Sequence, residues 1–546
     1  HGGDTTTTVS GSNLSAKGDV DIFSGDYVNI DTVSTTVAGA QTAAVPISVN
    51  VMTTEHETQT SVTGGALSVA DGQTISVTSE AKEGVSGLAI NGGGAMTAAV
   101  GALVNVTRQL SDVSTTVTNV SSITGTNYTQ TTDYLGRLTT MGLNAAGALN
   151  AAAAVSVSVN YADNDLNNDL TGSTLSLNGA LDMAAHRRSD WGFVDVNVTG
   201  AQYGAVSTYV AVNTIEGTTD SNFDRNQVIA LNGAAPRVNI EAGNTEQYDA
   251  TEVNVGGALY GSMAANVIVN RYYGDSNLYV NASTISADAL TFKAYQDRFI
   301  DETSVTASGS LGTIGANVIA TFVGDYVEAG ETPESFWDTE DLRGIGAIVG
   351  DYVNTYGSSS TVTNPGVLGS ILTQGDEYLT DENKASIVGA AATTAQAADT
   401  ASGTTLTVNN TIINANTVSM TAEEDTAEGA GVDMTVGSGQ AGAAALAASV
   451  ATLRLNHNAS VQVASSNITT QEGGTIGAKI DGDHTLTVWQ VSGTLASGTA
   501  AYADAAINGQ AQVTVNQGSL TTAQGDKTLE IISRNDSTNT LDANGI

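Results

Sequence analysis

An internal repeat constrains this chain more than any other feature of its sequence. Residues 196–213 read VNVTGAQYGAVSTYVAVN and residues 253–270 read VNVGGALYGSMAANVIVN, so ten of 18 positions are identical at an offset of 57 residues. A short apolar-polar-apolar segment precedes each copy, beginning at Leu181 or Val238. Similar segments begin, at intervals of 43 to 68 residues and one of 128, at Val20, Ile75, Leu138, Leu290, Val418, Leu486 and Leu529. A period of ~50–60 residues with variable insertions is typical of stacked repeat units.

The composition of each unit predicts β-strands. Val, Ile, Thr and Tyr alternate with polar residues at a period of two, and helical spacing is scarcely visible. The Ala-rich runs at 147–159 and 441–453 are also predicted as strands, since sister units alternate Val with Ser, Thr and Asn there. The chain is therefore predicted to be an all-β parallel solenoid, with each coil ~4.8 Å above the last. One unit supplies either one large coil or two smaller ones.

Alternate side chains of a strand face opposite sides, and the repeat suggests which set faces inward. Val recurs at two alternate positions of both units, which favours burial of the Val set, whereas the residues between them would face solvent. The set expected inside is Val210, Val212, Val267 and Val269, and the set expected outside includes Asn266 and Ile268.

The interval of 128 residues between Leu290 and Val418 exceeds one period and indicates an insertion. The predicted organisation is solenoid repeats over 1–321, an insertion protruding from the solenoid over 322–400, and continued repeats over 401–546 with an incomplete last unit. Two interpretations of the insertion are open. It is a locally packed cap with Trp337 as its small core, or a contact site in which Trp337 and Tyr352 meet a ligand.

Composition excludes several classes of protein and partner. The 546 residues include 17 Lys and Arg against 56 Asp and Glu, a formal net charge of −39. Nucleic acid and anionic membranes are excluded as partners because both are bound through clustered Lys and Arg. The chain has no Cys, which rules out disulfides, thiolate metal sites and Cys nucleophiles. No apolar run reaches the ~18 residues of a membrane helix, so no transmembrane segment is expected.

Motifs that would carry chemistry are weak. Residues 437–442 match G-x-G-x-x-G but lack the acidic residue ~20 positions on that a dinucleotide site requires. The run Asp163–Asp169 offers oxygen ligands at alternate positions but lacks the Gly and Glu of a Ca²⁺ loop. A solvated turn with at most weak Ca²⁺ binding is expected there, and no cofactor is assigned. No catalytic set of residues is visible, so the chain is not predicted to be an enzyme.

The segment 186–191, His-Arg-Arg-Ser-Asp-Trp, is the densest mixed-charge cluster of the chain. It follows the first strand of its unit, so an exposed loop is expected. The alternative is a carbohydrate contact made by Arg187, Arg188 and Trp191.

Tyr203 and Tyr260 occupy equivalent positions in successive units. Stacking of the two rings is therefore expected, because like residues of adjacent coils lie above one another. A sugar-binding aromatic face is the alternative.

Two features of the units carry a family resemblance. The starts VNIEA (238–242) and VSMTA (418–422) are followed by Gly-punctuated Ala/Val segments at 256–270 and 437–450. Units of this form resemble the repeats of bacterial filamentous adhesins of the filamentous-haemagglutinin and fusobacterial-leukotoxin type, over most of residues 20–530 outside the insertion. The resemblance implies a right-handed parallel β-helix that is secreted across a bacterial outer membrane and displayed at the cell surface. It supplies no catalytic residues.

These observations favour a structural function, an extracellular surface filament or adhesin shaft that holds binding surfaces away from a bacterial cell. Its partners would be further copies of itself, stacked end to end, or glycans or proteins of a host or neighbouring cell. One alternative is a β-helical polysaccharide-degrading enzyme, which would gather acidic side chains from three adjacent coils beside Arg187 or Arg188. Another is a self-assembling extracellular polymer subunit. Residues 532–546 contain no obvious cap, so we expect a segment of a longer chain or a subunit whose open end stacks on the next.

Overall fold

A computed structural model describes residues 2–324 and 403–545, and these residues form a parallel β-solenoid. Each long strand pairs in parallel with strands of the adjacent coils. Ala151, for example, pairs with Ala98 of the coil before it and with Gly204 of the coil after it, a step of 53 residues each way. One repeat unit is therefore one large coil, and the predicted all-β parallel solenoid is confirmed. The described residues contain no helix.

The strands follow one another in chain order, with short connections except between β18 and β19. They are β1 (Gly2–Ser10), β2 (Asn13–Ala16), β3 (Val20–Ala40), β4 (Ala43–Ala44), β5 (Ile47–Thr63), β6 (Ala66–Val69), β7 (Thr74–Ala95), β8 (Ala98–Thr118), β9 (Ser122–Ala148), β10 (Ala151–Thr171), β11 (Thr174–Ala201), β12 (Gly204–Glu216), β13 (Thr218–Asp224), β14 (Gln227–Ala230), β15 (Arg237–Ala258), β16 (Gly261–Tyr272), β17 (Asp275–Asn281), β18 (Thr284–Val323), β19 (Thr404–Asn409), β20 (Ile412–Glu424), β21 (Gly431–Ala464), β22 (Asn467–Thr470), β23 (Gly474–Ile480), β24 (Asp483–Asn516), β25 (Ser519–Thr522), β26 (Leu529–Asn535) and β27 (Thr538–Gly545).

A coil has three parts, which the pair β9 and β10 illustrates. A short arm, residues 122–125, leads into a first wall, residues 127–148. A tight turn at 149–150, which we call the edge, leads back into a second wall, residues 151–171. The walls face each other, since Asn144 Nδ2 donates to Val155 O at 2.9 Å and Gln130 Nε2 donates to Asp169 O at 2.8 Å. The gap between the walls therefore holds a thin layer of side chains.

A left-handed residue closes every coil after its second wall. The positive φ of 48° to 65° recurs at Gly11, Gly64, Asn119, Gly172, Arg225, Ala282, Asn410, Ser465 and Gln517. Non-Gly residues in this conformation cost ~1–2 kcal/mol each, and hydrogen bonding offsets this cost. The next residue in five successive coils is buried and polar, and its side-chain oxygen accepts the equivalent backbone N–H one coil earlier. Examples are Asn226 N–H to Ser283 Oγ at 3.0 Å and Thr411 N–H to Ser466 Oγ at 3.1 Å.

Four apolar clusters occupy the interior of the described coils, and two of them are large. The larger one lies around the short arm, where Leu67, Ile75 and Val117 are buried with their counterparts in other coils. The second lies further along the walls and contains Trp191 and Phe193. Burial of such side chains contributes ~25 cal/mol per Å² of apolar surface removed from water, so these clusters supply most of the driving force.

Buried polar ladders run beside the apolar clusters. Asn160, Asn213 and Asn270 lie at equivalent positions of three successive coils and are all buried. Asn160 Nδ2 donates to Asn213 Oδ1 at 2.7 Å, and Asn213 Nδ2 donates to Asn270 Oδ1 at 2.8 Å. A buried amide is tolerated when its hydrogen bonds are made. The stacking of identical residues meets that condition for Asn213, whose amide oxygen and nitrogen are both bonded within the stack.

These ladders overturn the predicted assignment of the two strand faces. Asn266, Ile268 and Asn270 face the interior and are buried, whereas Val267 on the other face is half-buried. Val210 and Val212 are half-buried on that outer face as well, and Val269 on the same face is buried. The prediction failed because it treated recurrent Val as a sign of burial, whereas the interior selects stackable Asn.

The register also corrects two of the predicted repeat starts. Ile75 pairs with Tyr128 rather than with Leu138, and Val418 pairs with Gly474 rather than with Leu486. Leu138 and Leu486 lie further along the same walls. The starts of these two coils have lost the apolar-polar-apolar pattern. The Ala-rich runs at 147–159 and 441–453 do lie in strand segments, as predicted.

Two segments expected to be irregular are strands. Residues 186–191 lie within β11, so the exposed loop predicted there is wrong. Asp163–Asp169 lies within β10 and is not a solvated turn. Alternation persists through both segments with polar residues on the inner face, which hides the strand from a search based on hydrophobicity.

The stack is continuous across the predicted insertion. β18 ends at Val323, and β19 begins at Thr404 and pairs with β17 through Ser276. Most of the predicted insertion, residues 322–400, lies outside the described residues, and its protrusion from the solenoid stays a prediction.

Candidate functional site

The edge of the solenoid is an exposed apolar ridge. Its turn residues stack from coil to coil, and many are large and apolar. The rings of Tyr203 and Tyr260 stack with centroids 5.2 Å apart and planes 8° apart, which confirms the predicted stacking. Both side chains remain about half exposed. The exposed apolar members of this ridge are Met96, Leu149, Tyr203, Leu259, Tyr260, Leu311 and Leu495.

Apolar side chains continue from the edge onto the outer face of each wall. On the first wall, Met141, Leu143, Val194 and Val198 are exposed and lie in two adjacent coils. On the second wall, Ile47, Val49 and Val51 are exposed in one coil and pair in register with Ala102, Val104 and Val106 of the next. A continuous apolar surface of this kind is unusual on a soluble monomer and marks an interaction site. We call the ridge and these two faces the apolar edge surface.

A charged row follows the outer face of the first wall, farther from the edge. His186 lies between carboxylates of two adjacent coils, with Nδ1 at 3.5 Å from Asp133 Oδ1 and Nε2 at 3.4 Å from Glu241 Oε2. Burial alone would lower the pKa of His186, but its contacts with these carboxylates raise it to about 9. Lys293 and Glu423 extend the row, with Lys293 Nζ 3.0 Å from Glu423 Oε2. The row is a chain of ion pairs between coils.

The structure separates the predicted contact residues. Arg187 and Trp191 are buried inside the solenoid, where no external ligand meets them, whereas Arg188 is exposed on the outer face. Trp337 and Tyr352 lie outside the described residues. The predicted carbohydrate contact at Arg187, Arg188 and Trp191 is therefore not assembled on one surface.

Arg187 instead belongs to a buried ionic cluster between the walls. Its guanidinium Nη2 donates to Glu246 Oε1 at 2.5 Å, and Arg298 lies on the other side of Glu246 at 3.9 Å. Arg298 Nη1 is 3.7 Å from carboxylate oxygens of both Glu424 and Asp425. Charged groups are buried at this density only when they are paired with one another.

Two histidines end the cluster. His457 Nδ1 is 3.1 Å from Glu424 Oε2, and its ring stacks on that of His484 with centroids 5.4 Å apart. Burial raises the pKa of Asp425 to about 6 although Arg298 and His457 oppose the change, and burial lowers the pKa of His484 to about 3. Asp425 and His457 are 32 positions apart in the sequence, and His457 and His484 are 27 positions apart, so sequence analysis did not group them. About half a coil separates them, which is the one signal that opposite walls would bring them together.

A separate set of buried carboxyl groups lies beside hydroxyl and amide groups. Glu302 accepts a hydrogen bond from Thr321 Oγ1 at 2.9 Å, and Asp195 accepts one from Tyr209 Oη at 2.8 Å. Burial raises the pKa of Glu302 to about 8 and that of Asp195 to about 6. Burial therefore shifts both carboxyls towards the protonated form, and only the pKa of Glu302 lies above neutral pH.

Comparison with family models, with curated proteins and with solved structures gives no match to this chain. Within 2–324 and 403–545, no helix is long and apolar enough to cross a membrane.

Proposed function

We propose that this protein is a structural component of an extracellular bacterial surface filament, an adhesin shaft that displays binding surfaces. The observation that carries the proposal is the stack itself. Within the described residues each coil pairs in parallel with the coils next to it from β1 to β27, with one register shift between Leu177 and Ala180. Arrays of this kind grow by adding coils, and they offer extended faces rather than one concave pocket.

The apolar edge surface supports assembly of copies through their sides. Exposed apolar residues recur at the edge of several coils, so a second copy would meet similar residue types over several coils. Contiguous apolar surface of this extent marks an interface. The acidity of the chain, with a net charge of −39, opposes unspecific aggregation elsewhere on the surface. The partner on this surface is therefore another copy, and cell-surface glycans or proteins are partners of the displayed parts.

A β-helical polysaccharide-degrading enzyme, the alternative function, would require acidic side chains from three adjacent coils beside Arg187 or Arg188. Arg187 is buried against Glu246 and offers no groove to a substrate. On the outer face, the carboxylates of Asp133 and Glu241 flank His186 and form inter-coil ion pairs. Incubation with acidic and neutral polysaccharides, followed by a reducing-sugar assay, is expected to release no product. Release of oligosaccharides that depends on His186 would establish the enzyme instead.

The assembly part of the proposal is tested with one matched pair of variants. Leu143 and Thr139 are both exposed on the outer face of β9, four residues apart, and replacement by Lys adds the same charge at each. Leu143→Lys places that charge in the apolar edge surface, and Thr139→Lys places it outside. We expect electron microscopy and sedimentation at rising concentration to show filaments or side-by-side assemblies for the wild type and Thr139→Lys, and dispersed particles for Leu143→Lys. A wild type that stays monomeric throughout, or equal assembly of both variants, would contradict the proposal.

A further inference from the structure

Three buried side chains at the end of the ionic cluster form a ligand set for a metal ion. Asp425, His457 and His484 each offer one ligand atom, and these atoms all lie within 4.8 Å of one another. The three side chains are 2%, 1% and 2% exposed. They come from three separate segments, the bend after β20, the second wall of the same coil in β21, and the first wall of the next coil in β24.

The hydrogen bonding of the two imidazoles leaves nitrogens unused. Among the residues that the structure describes, neither ring nitrogen of His484 has a hydrogen-bond partner, and His457 Nε2 has none either. A buried polar atom without a partner costs ~1–3 kcal/mol, so three such atoms in one place need an explanation. A ligand shared by the two rings would satisfy them.

His457 is already oriented as a metal-bound histidine would be. Its Nδ1 lies 3.1 Å from Glu424 Oε2, and a proton on Nδ1 that is donated to this carboxylate leaves the lone pair on Nε2. Metal-binding histidines commonly donate their second N–H to a carboxylate, which fixes the tautomer and the ring orientation. Asp425 is held too, because its Oδ1 accepts the backbone N–H of Arg298 at 2.9 Å.

The buried cluster carries a net negative charge when its carboxylates are ionised, which a bound cation would neutralise. Arg187 and Arg298 carry two positive charges, and Glu246, Glu424 and Asp425 carry three negative charges when ionised. A buried net charge is costly unless a counterion is present. Two imidazoles and a carboxylate are ligands suited to divalent transition ions such as Zn²⁺ and Co²⁺.

The backbone makes space at the same point. Gly482 precedes His484 by two residues, and a Cβ there would lie 3.2 Å from Asp425 Cβ and 3.2 Å from His484 Nε2. Any side chain at this position would crowd the ligand atoms. We infer that Asp425, His457 and His484 bind a divalent transition-metal ion that ties the bend after β20 to β21 and β24. The role is structural, since the ion would be enclosed by protein.

The alternative within the same geometry is a simple ion pair. A protonated His457 between Glu424 and Asp425 would balance the charge without a metal, and His484 would then only pack against it. This alternative predicts no metal binding, so the two accounts are separable.

The test refolds the full chain from urea with Co²⁺ present, because enclosed ligands are best loaded during folding. Free metal is then removed, and bound cobalt is measured by elemental analysis and by its visible absorption. We expect about one Co²⁺ per chain, displaced by Zn²⁺, and a higher unfolding temperature than for protein refolded with a chelator. Refolded wild type with native circular dichroism and no bound Co²⁺ would overturn the inference.

Variants assign the site. His484→Gln and Asp425→Asn are expected to weaken Co²⁺ binding roughly tenfold or more, and Asp425→Asn keeps the oxygen that accepts the Arg298 N–H. The matched control is His56→Gln, since His56 is another buried histidine beside a carboxylate, with Nδ1 at 2.8 Å from Asp26 Oδ2. This control is expected to bind Co²⁺ as the wild type does. Equal binding by all variants would place the metal elsewhere, and the inference would be wrong.

Discussion

Replacing Asn213 by Ala is expected to destabilise the solenoid by ~3–5 kcal/mol. The side chain is 2% exposed, accepts a hydrogen bond from Asn160 Nδ2 at 2.7 Å, and donates to Asn270 Oδ1 and Tyr248 Oη, both at 2.8 Å. Each of the three bonds contributes ~1–1.5 kcal/mol net, which gives ~3–5 kcal/mol for their loss in a buried ladder. The partners keep other bonds, since Asn160 Nδ2 also donates to Ser158 Oγ and Tyr248 Oη to Asn270 Oδ1.

The matched control is Asn222→Ala in the same coil. Asn222 also bonds to the neighbouring coil, with Nδ2 at 2.6 Å from Asp169 Oδ1 and 3.3 Å from Asn167 Oδ1. It is half-buried on the outer face, where water replaces the lost bonds. The expected loss is therefore only ~0.5–1 kcal/mol.

Urea unfolding followed by circular dichroism and by tryptophan fluorescence, to which the buried Trp191 contributes, measures both losses. Coils interact mainly with their neighbours, so the two substitutions are placed in one coil to affect the same unfolding unit. Equal losses for Asn213→Ala and Asn222→Ala, or a loss below ~0.5 kcal/mol for the former, would refute the claim that interior ladders stabilise the stack.

Three further predictions concern faces and protonation. Ile268→Asp should lower the free energy of unfolding by several kcal/mol, because it buries an unpaired carboxylate. Val267→Asp on the outer face should lower it clearly less, as measured by thermal or urea unfolding. The reverse order would show that the Val face is the inner one. The raised pKa of Glu302, about 8 against 4.5, means that the native state binds a proton which the unfolded state has released, so stability falls as pH rises from about 4.5 to 8. Glu302→Gln should remove that fall and exceed the wild type in stability at pH 9, and an unchanged pH profile would contradict the assignment. The pKa of His186 is about 9, so its contribution to stability should be complete below pH ~6.5 and lost as pH rises through 9. His186→Gln should flatten that part of the pH profile of stability. An imidazole of His186 that titrates near 6.5 by NMR would disprove its ion pairs.

The regular parts of the fold were predictable because stacking imposes one period on the whole chain. The 57-residue offset between 196–213 and 253–270 is the pairing register of β11 with β15 and of β12 with β16. The stacking of Tyr203 on Tyr260 follows from the same offset. Where a coil start lost its apolar pattern, as at Tyr128 and Gly474, prediction placed the start at the wrong residue.

The inner face was not predictable from alternation. A period of two separates two sets of residues but does not say which set is inside when both contain apolar members. In residues 266–270 the inner set contains Asn266 and Asn270, whose amides bond to buried polar groups. Asn266 Nδ2 donates to Ser304 Oγ at 2.8 Å, and Asn270 Oδ1 accepts Asn213 Nδ2 at 2.8 Å. Arg187 and Trp191 were likewise assigned to an exposed loop because a polar segment resembles a loop when its partners are unknown.

Local alternation and self-similarity along the chain are enough to predict the repeat period, the strand character and the parallel stacking. Which side chains meet across the gap between the walls is seen only in the folded coils. Asp425, His457 and His484 are scattered in the sequence, and only the closing of one coil onto the next brings their ligand atoms within 4.8 Å. The physical reason is that contacts between walls depend on where each coil turns. Those turns are set by a few left-handed residues, such as Ala282 and Ser465, whose identity does not reveal their conformation.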